Sequence, residues 1–452
     1  MTLWGGRFEA GPADALWRFT VDDSDRRLLG DDVVGSLAHA SVLAEAGLLT
    51  ADEAELLRSG LEQILDEAES ESFVFSPTDE DVHSAVERRL GEIAGSVAGK
   101  LHMGRSRNDQ VALDLRLYLR RGADARIDQL RHFIGVVTDA AAAAGDLVVP
   151  SYTHLQQAQA VPFAHHLLAH AWAIRRDVER FWAVRRRLDV SPLGAGASGG
   201  SSLPLRPYDT ARRLDFADLF DNSLDAVAAR DLVAEYAFCC AQAMATLSRF
   251  AEELVIWGTE EFGWATFDDR FTTGSSALPQ KKNPDVAELV RGKAAAVAGD
   301  VTTLLALQKG LPLSYNRDLQ EDKRAVFHAD DVLGGALEAL SGMVETAWFH
   351  PAAPSPWVTA LDVAEVLVVR GVPFREAHEA VGRLVADLHR SGRTFEDVTA
   401  GELEGAHPQL VPEDTSRLSP EGSVRARTTP GGGSPESVAR QIERLRRFLD
   451  AS

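Results

Sequence analysis

The sequence predicts an all-α protein of three domains arranged around a central bundle of long helices. Three observations predict it. Four long segments repeat their apolar residues at helical spacing, the two-residue alternation of strands is scarce, and a proline cluster closes off a smaller C-terminal part. The expected domains are an N-terminal helical domain over residues 1–105, the long-helix bundle and oligomer core over 106–350, and a small helical domain over 351–452. A chain of 452 residues, 45% hydrophobic and 25% charged, has enough material for a large buried core.

In the first domain, Val33, Leu37, Ala40, Val42 and Leu43 form one apolar helical face, and Leu56, Leu57, Leu61 and Leu65 form another. Thr50 followed by Glu53 reads as a capping box that starts the second of these helices. The central segments, roughly 106–143, 157–188, 228–260 and 285–309, contain no interior proline except Pro162. Several are apolar around most of their circumference, as Val286, Leu289, Val290, Val297, Val301, Leu304 and Leu305 illustrate. Such a helix must be buried, in a bundle or against another subunit. Pro351, Pro354 and Pro356 mark the next boundary. Beyond it come a helix near Phe374–Leu388, a glycine-rich loop over 429–433 and a last helix from about Ser437.

The formal charge of −21 disfavours a nucleic-acid partner, because an acidic surface repels phosphate backbones. An anionic small substrate would need a local cluster of Arg and Lys set against that field. Only two cysteines occur, the adjacent Cys239 and Cys240, which suit a reduced compartment and read as buried packing residues. The N-terminus lacks the pattern of a signal peptide, and no run reaches the ~18 apolar residues of a membrane span. The expectation is a cytoplasmic protein without membrane attachment.

Two patterns tempt and fail. Gly194, Gly196 and Gly199 have dinucleotide-loop spacing, but no strand precedes them and Pro204 and Pro207 follow where a helix should open, so a tight loop is expected. His166 and His170 stand four apart, yet the sequence supplies no third ligand nearby. They read as core or solvated histidines, and no metal or cofactor is expected.

Residues 271–284 carry more. Gly274, Ser275, Ser276, Pro279 and Pro284 forbid regular structure, making this a loop that leads into the helix from Asp285. Capping accounts for Asn283, Pro284 and Asp285. It does not account for two serines and two lysines, Lys281 and Lys282, which place hydroxyls and cations beside a helix N-terminus, a carboxylate-binding arrangement.

Gly274 to Pro284 closely resembles the loop of the fumarase/aspartase superfamily: Gly-Ser-Ser, two residues, Pro, one residue, Lys, one residue, Asn-Pro. Further stretches are most similar to the argininosuccinate lyases. They are Leu3 to Phe8, Asp79 to His83, Gly99 to Gln110, Tyr152 to Gln156, Lys309 to Pro312 and Tyr315 to Lys323. The resemblance covers nearly the whole chain, in order. It implies a homotetramer with active sites shared among subunits, and β-elimination of a succinyl compound to release fumarate.

In that chemistry a proton leaves the carbon beside a carboxylate, and the resulting dianionic centre must be held in a dry site with a base and an acid on opposite faces. The resemblance implies Ser275 as the base, with Lys281 and Asn283 holding the charge-bearing carboxylate. It implies His154 as the second catalytic group, supported by Glu288, which would fix its tautomer and raise its pKa. Ser106, Asn108 and Thr153 would surround the succinyl half, and Tyr315, Gln320 and Lys323 the arginine half. Arg107, with Arg105, would raise the local positive potential. The charged stretch at Asp318 and Glu321 to Arg324 reads as a site rim or subunit edge.

The chain departs from the family at Phe19 to Asp25, which is one residue short, so that a family serine at the amino-acid end of the substrate falls on Asp22. Ser24 or Asp25 could substitute after a register shift. Two alternatives stand beside argininosuccinate cleavage: a paralogous lyase for another N-substituted aspartate, and a non-catalytic relative of the kind found in lens crystallins.

Overall fold

A computed structural model describes residues 13–451, so the Leu3 to Phe8 stretch lies outside the described residues. The fold is all-α, with four small two-stranded sheets among the described residues. The chain divides into two compact units. The first comprises residues 1–126, 180–241 and 296–331; the second comprises 127–179, 242–295 and 332–452.

After a short helix over Asp14–Thr20, the first unit runs through α1 (Leu29–Glu45), α2 (Ala51–Glu69) and α3 (Val82–Ala94). Thr50 and Glu53 form the predicted reciprocal cap of α2, which satisfies two otherwise orphaned N–H groups. The apolar face of α2 is rotated from the one expected: Leu57, Leu61 and Ile64 are fully buried, whereas Leu56 is exposed. Gly60 lets α2 approach α3, since a Cβ there would sit 2.7 Å from a Leu90 methyl. The long helix α4 (Arg107–Ala143) contributes its first half to this unit. Leu113 and Leu117 of that half pack with Ala38, Leu193, Ala211, Leu214 and Phe216.

The second unit contains a β-hairpin that the periodicity missed. β1 (Val148–Thr153) pairs antiparallel with β2 (Gln156–Pro162), and α5 (Phe163–Arg187) begins only after Pro162. The expected helix over 157–188 therefore starts six residues late. Pro162 has no N–H to give a helix interior and sits instead at the strand end. α6 (Asp231–Trp257) and α7 (Asp285–Gln308) match their predicted segments closely. α8 (Asp322–Glu345) follows. α9 (Ala360–Val369) and α10 (Phe374–Arg390) build a separate apolar cluster around Leu367, Leu384 and Phe395, and α11 (Pro435–Asp450), capped by Ser434, ends the chain. Cys239 and Cys240 are buried, as expected. No described helix is long and apolar enough to cross a membrane.

Within the charged stretch read as a site rim or subunit edge, Asp318, Glu321 and Arg324 are exposed, whereas Asp322 and Lys323 are buried, and Asp322 pairs with Arg230, whose side chain is 1% exposed. Its other oxygen accepts from Lys323 at 3.1 Å. A buried aspartate with two cations needs both. Asp322→Ala should leave Arg230 uncompensated and cost about 3–5 kcal/mol of unfolding free energy in urea, whereas the apolar pair Arg230→Met with Asp322→Leu should cost much less. A loss below about 1 kcal/mol for Asp322→Ala would show the pair to be dispensable.

Candidate active site

In the first unit, four chain segments enclose a cavity of about 170 Å³. Asp22, Ser24 and Asp25 come from one segment, Glu80, Asp81 and His83 from the start of α3, Arg107, Asn108 and Val111 from the start of α4, and Tyr315, Arg317, Gln320 and Lys323 from the stretch that leads into α8. Five residues predicted as substrate contacts thus line one space: Arg107, Asn108, Tyr315, Gln320 and Lys323.

The walls are fixed by ion pairs. Arg107 meets Asp81 at 2.9 Å and Glu80 at 3.3 Å, and Arg317 meets Glu80 at 3.2 Å. Arg107 is therefore committed to wall carboxylates rather than standing as a free cation. The Gln320 amide donates to the Thr20 carbonyl at 2.9 Å. The Tyr315 hydroxyl has no protein partner among the described residues, and burial raises its pKa, so it remains a donor. Asn108 donates to the Ala197 carbonyl at 2.9 Å, and its own carbonyl oxygen has no partner among the described residues.

The glycine-spaced segment is the expected tight loop, with positive φ at Gly194 (112°) and Gly196 (62°). Its purpose lies in Asp109. That carboxylate accepts the N–H groups of Ser106 (2.8 Å), Gly194 (3.1 Å) and Gly196 (2.8 Å), fastening the loop to the start of α4 beside Ser106 and Asn108. Asp109 looks like an ordinary first-turn acid in the sequence, and two of its three partners, Gly194 and Gly196, lie over eighty residues away.

The departure at Asp22 falls in the cavity wall. Its carboxylate accepts from the Ser24 N–H at 2.7 Å and the Arg324 guanidinium at 2.7 Å. Burial works to raise its pKa, but these donors outweigh it and hold the group below the usual carboxylate range. Asp25 is different. One oxygen accepts from the Val82 N–H at 3.2 Å, the other is buried without a protein partner, and desolvation pushes its pKa up to about 6.

The remaining predicted residues belong to the second unit. Thr153 ends β1, and the hairpin turns through His154 and Leu155, both with positive φ (54° and 55°). This is the backbone of a tight two-residue hairpin turn, normally left to Asn and Gly. The strained turn holds His154 exposed at the tip, beside a Leu155 that is 78% exposed. Tyr152 anchors the hairpin among Phe262 and Trp264, with ring centroids 5.9 and 6.1 Å away.

The 271–284 loop is not wholly irregular: β3 (Thr273–Gly274) pairs with β4 (Lys282–Asn283) at its base. Ser275 sits just beyond that base, its Oγ accepting the N–H groups of Ala277 (3.3 Å) and Leu278 (3.1 Å). Two backbone donors on one hydroxyl oxygen favour negative charge there. Lys281 is exposed, its side chain without a partner among the described residues, while Lys282 is held by Asp269. Asn283 does not cap α7 with its side chain; its amide reaches Thr273 at 3.5 Å, and Thr273 donates to Asp285. Glu288 is exposed, 3.8 Å from Arg291. Within the chain no bond joins His154 to Glu288 among the described residues.

Asp25 yields a pH test. Its folded pKa lies above the ordinary 3.8, so the folded state keeps a proton that the unfolded state has already lost, and stability falls as pH rises from about 4 to about 6. A rise from 3.8 to about 6 corresponds to about 3 kcal/mol. Asp25→Asn should remove that contribution, which urea unfolding of both proteins at pH 4 and pH 7 would measure. Identical pH dependence in the two would refute it.

Residues 6–299 match the Lyase family, and residues 357–425 match the argininosuccinate lyase C-terminal family. The argininosuccinate lyase of Cutibacterium acnes is 49% identical over 99% of this chain and 97% of its own length. That of Frankia casuarinae is 49% identical over 100% of this chain and 98% of its own length. Among solved structures, an EDDS lyase variant with bound fumarate has a TM-score of 0.83 at 28% identity, covering 98% of this chain and 91% of that one. The class II fumarase of Schistosoma mansoni, at 14% identity and a TM-score of 0.72 over 90% of this chain and 92% of its own, shares the fold. With half of all positions identical along the full length, the chain belongs to the argininosuccinate lyase family, carbon–nitrogen lyases of the fumarase/aspartase fold.

Proposed function

We propose that this protein cleaves argininosuccinate to arginine and fumarate by β-elimination, in sites shared among the subunits of a cytoplasmic homotetramer. The observation that carries the reading is the cavity lined by Asn108, Tyr315, Gln320 and Lys323, in a chain 49% identical to argininosuccinate lyases along its full length.

In this reading Ser275 takes the proton from the carbon beside the succinyl carboxylate. The N–H groups of Ala277 and Leu278 on its Oγ support the alkoxide. Lys281 and Asn283 bind the carboxylate into which the carbanion charge spreads, and losing one such donor costs about 2.7–4 kcal/mol of transition-state stabilisation. His154 delivers a proton to the departing guanidino nitrogen, with Glu288 of another copy holding its imidazole. Ser106, Asn108 and Thr153 hold the succinyl half; Tyr315, Gln320 and Lys323 hold the arginine half. The chemistry calls for no cofactor.

Sharing among copies is supported by exposure. His154, Lys281 and Glu288 all face outward, whereas this chemistry needs a dry site. Leu289 and Leu305 of α7 are 58% and 59% exposed on a helix whose composition demands burial.

Asp22 in the cavity wall favours a second reading, a paralogue for another N-substituted aspartate. Fumarate release from argininosuccinate, measured beside adenylosuccinate, aspartate and malate, separates the two; no release from argininosuccinate rejects the first. Ser275→Ala and His154→Ala should each lower turnover by orders of magnitude with the oligomer intact by light scattering. Mixing the two inactive variants under conditions of subunit exchange should restore activity, because some sites then receive an intact Ser275 from one chain and an intact His154 from another. If both groups came from one chain, every site would carry a lesion and the mixture would stay inactive.

A further inference from the structure

Away from the groups assigned above, α5 and α6 bring together three side chains that the catalytic reading does not use. His166 and His170, one turn apart on α5, both direct Nε2 at the same oxygen of Glu253 on α6, each at 2.7 Å. All three ligand atoms lie within 4.8 Å of one another. We propose that His166, His170 and Glu253 form a binding site for a divalent transition-metal ion of the zinc type, one per chain.

The geometry favours an ion over a plain hydrogen-bonded cluster in three respects. First, the two rings are held in place independently of Glu253. His170 stacks on Phe250, with ring centroids 4.5 Å apart and planes at 23°, and His166 meets the edge of Trp257 at 5.3 Å. The aim of both Nε2 atoms is therefore fixed by packing. Second, the donor set is matched to the metal. Two neutral imidazoles and a carboxylate suit zinc, cobalt and nickel, whereas calcium and magnesium prefer oxygen alone. Third, the separations need little change. Four ligands about 2.0–2.1 Å from a tetrahedral ion stand about 3.3 Å apart, so a shift of the Glu253 carboxylate that widens the 2.7 Å contacts by roughly 0.6 Å opens the centre.

Charge fits as well. One carboxylate and two imidazoles offer the ion a single negative charge and three donor atoms that already converge. The side chains of His166, His170 and Glu253 are 21%, 13% and 32% exposed, which leaves one side open for water as the fourth ligand. The neighbouring His165 takes no part, since its Nδ1 faces the Gln441 amide at 3.1 Å. The helical i, i+4 pair was visible in the sequence; its third ligand stands more than eighty residues away, where spacing could not reveal it. An ion here would staple α5 to α6 and raise the thermal midpoint through binding to the folded form alone.

The test uses the full-length protein. Stripped with chelator and then dialysed against micromolar zinc, it should retain one zinc per chain and melt at a higher temperature. The cobalt form should show the strong visible bands of a tetrahedral centre. His170→Gln and Glu253→Gln each remove a ligand and should weaken zinc binding by more than the about 10–100-fold that losing an outer-shell partner costs. His166→Gln combined with His170→Gln should abolish the cobalt bands. Failure of the wild-type protein to retain zinc would overturn the proposal, as would zinc retention in the double variant equal to that of the wild type. The wild-type cobalt spectrum decides the matter even if a variant does not fold.

Discussion

Taking carboxylates and imidazoles out of water is costly unless each compensates the other, and the first unit places such groups behind its cavity wall. His83 lines the cavity, and its Nδ1 meets Asp32 of α1 at 3.0 Å, while Asp114 of α4 lies 3.6 Å away. Both aspartates are at most 1% exposed. Burial would strip the proton from His83, but Asp32 outweighs it, so the imidazole is held above its usual pKa and Asp32 below. Asp114 is pushed the other way, by burial first and then by its acidic neighbours. Three helices are thereby tied through one charged pair. Arg105, which donates to Ser36 at 2.9 Å, adds a second cation, and Gln110 adds a donor to Asp32. Removing one partner would leave a buried charge uncompensated, so the starts of α3 and α4, which carry Asp81, Arg107 and Asn108, hold their places only while the set is complete.

This organisation explains which parts of the protein were legible in the sequence. Helices that satisfy themselves locally were: α4, α6 and α7 announce themselves by apolar recurrence, and α2 by its cap. The hairpin over 148–162 was not, because its residues 157–161 (Gln-Ala-Gln-Ala-Val) carry no strong preference for either state. Its pairing with Val148 to Tyr152 is decided by tertiary contact. Asp322 and Lys323 misled for the same reason. Their charge density reads as exposure, and only Arg230, ninety-two residues away, makes burial tolerable.

The candidate site divides along the same line. The Gly-Ser-Ser loop and the Tyr315 to Lys323 stretch are contiguous, so a sequence pattern can hold them, and the cavity collects Tyr315, Gln320 and Lys323 together. What escaped were groups that act at a distance: Asp109 gathering three backbone N–H groups, Arg324 clamping Asp22, and Glu253 beneath two histidines. Each is an unremarkable charged residue on a helix until its partner is known. Asp22 is the plainest case. A departure that in sequence leaves the register open becomes a carboxylate in the cavity wall, held ionised by a named guanidinium.

On a chain with a formal charge of −21, a site for the multiply charged anion proposed as substrate must confine positive potential to short range. The cavity does so by near-matching: Glu80, Asp81, Asp22 and Asp25 stand among Arg107, Arg317 and Lys323, with most of the cations engaged by wall carboxylates. Such a space suits a zwitterionic amino-acid end better than a bare dicarboxylate, because each wall charge can exchange its partner for one on the ligand. Lys281, whose side chain has no partner among the described residues, lies on the serine loop rather than in this wall. Separating the two tasks has a physical advantage. In the proposed mechanism, tight binding of the amino-acid end would lower substrate and transition state alike, whereas Lys281 reserved for the developing dianion would stabilise only the latter, and only that difference accelerates bond cleavage.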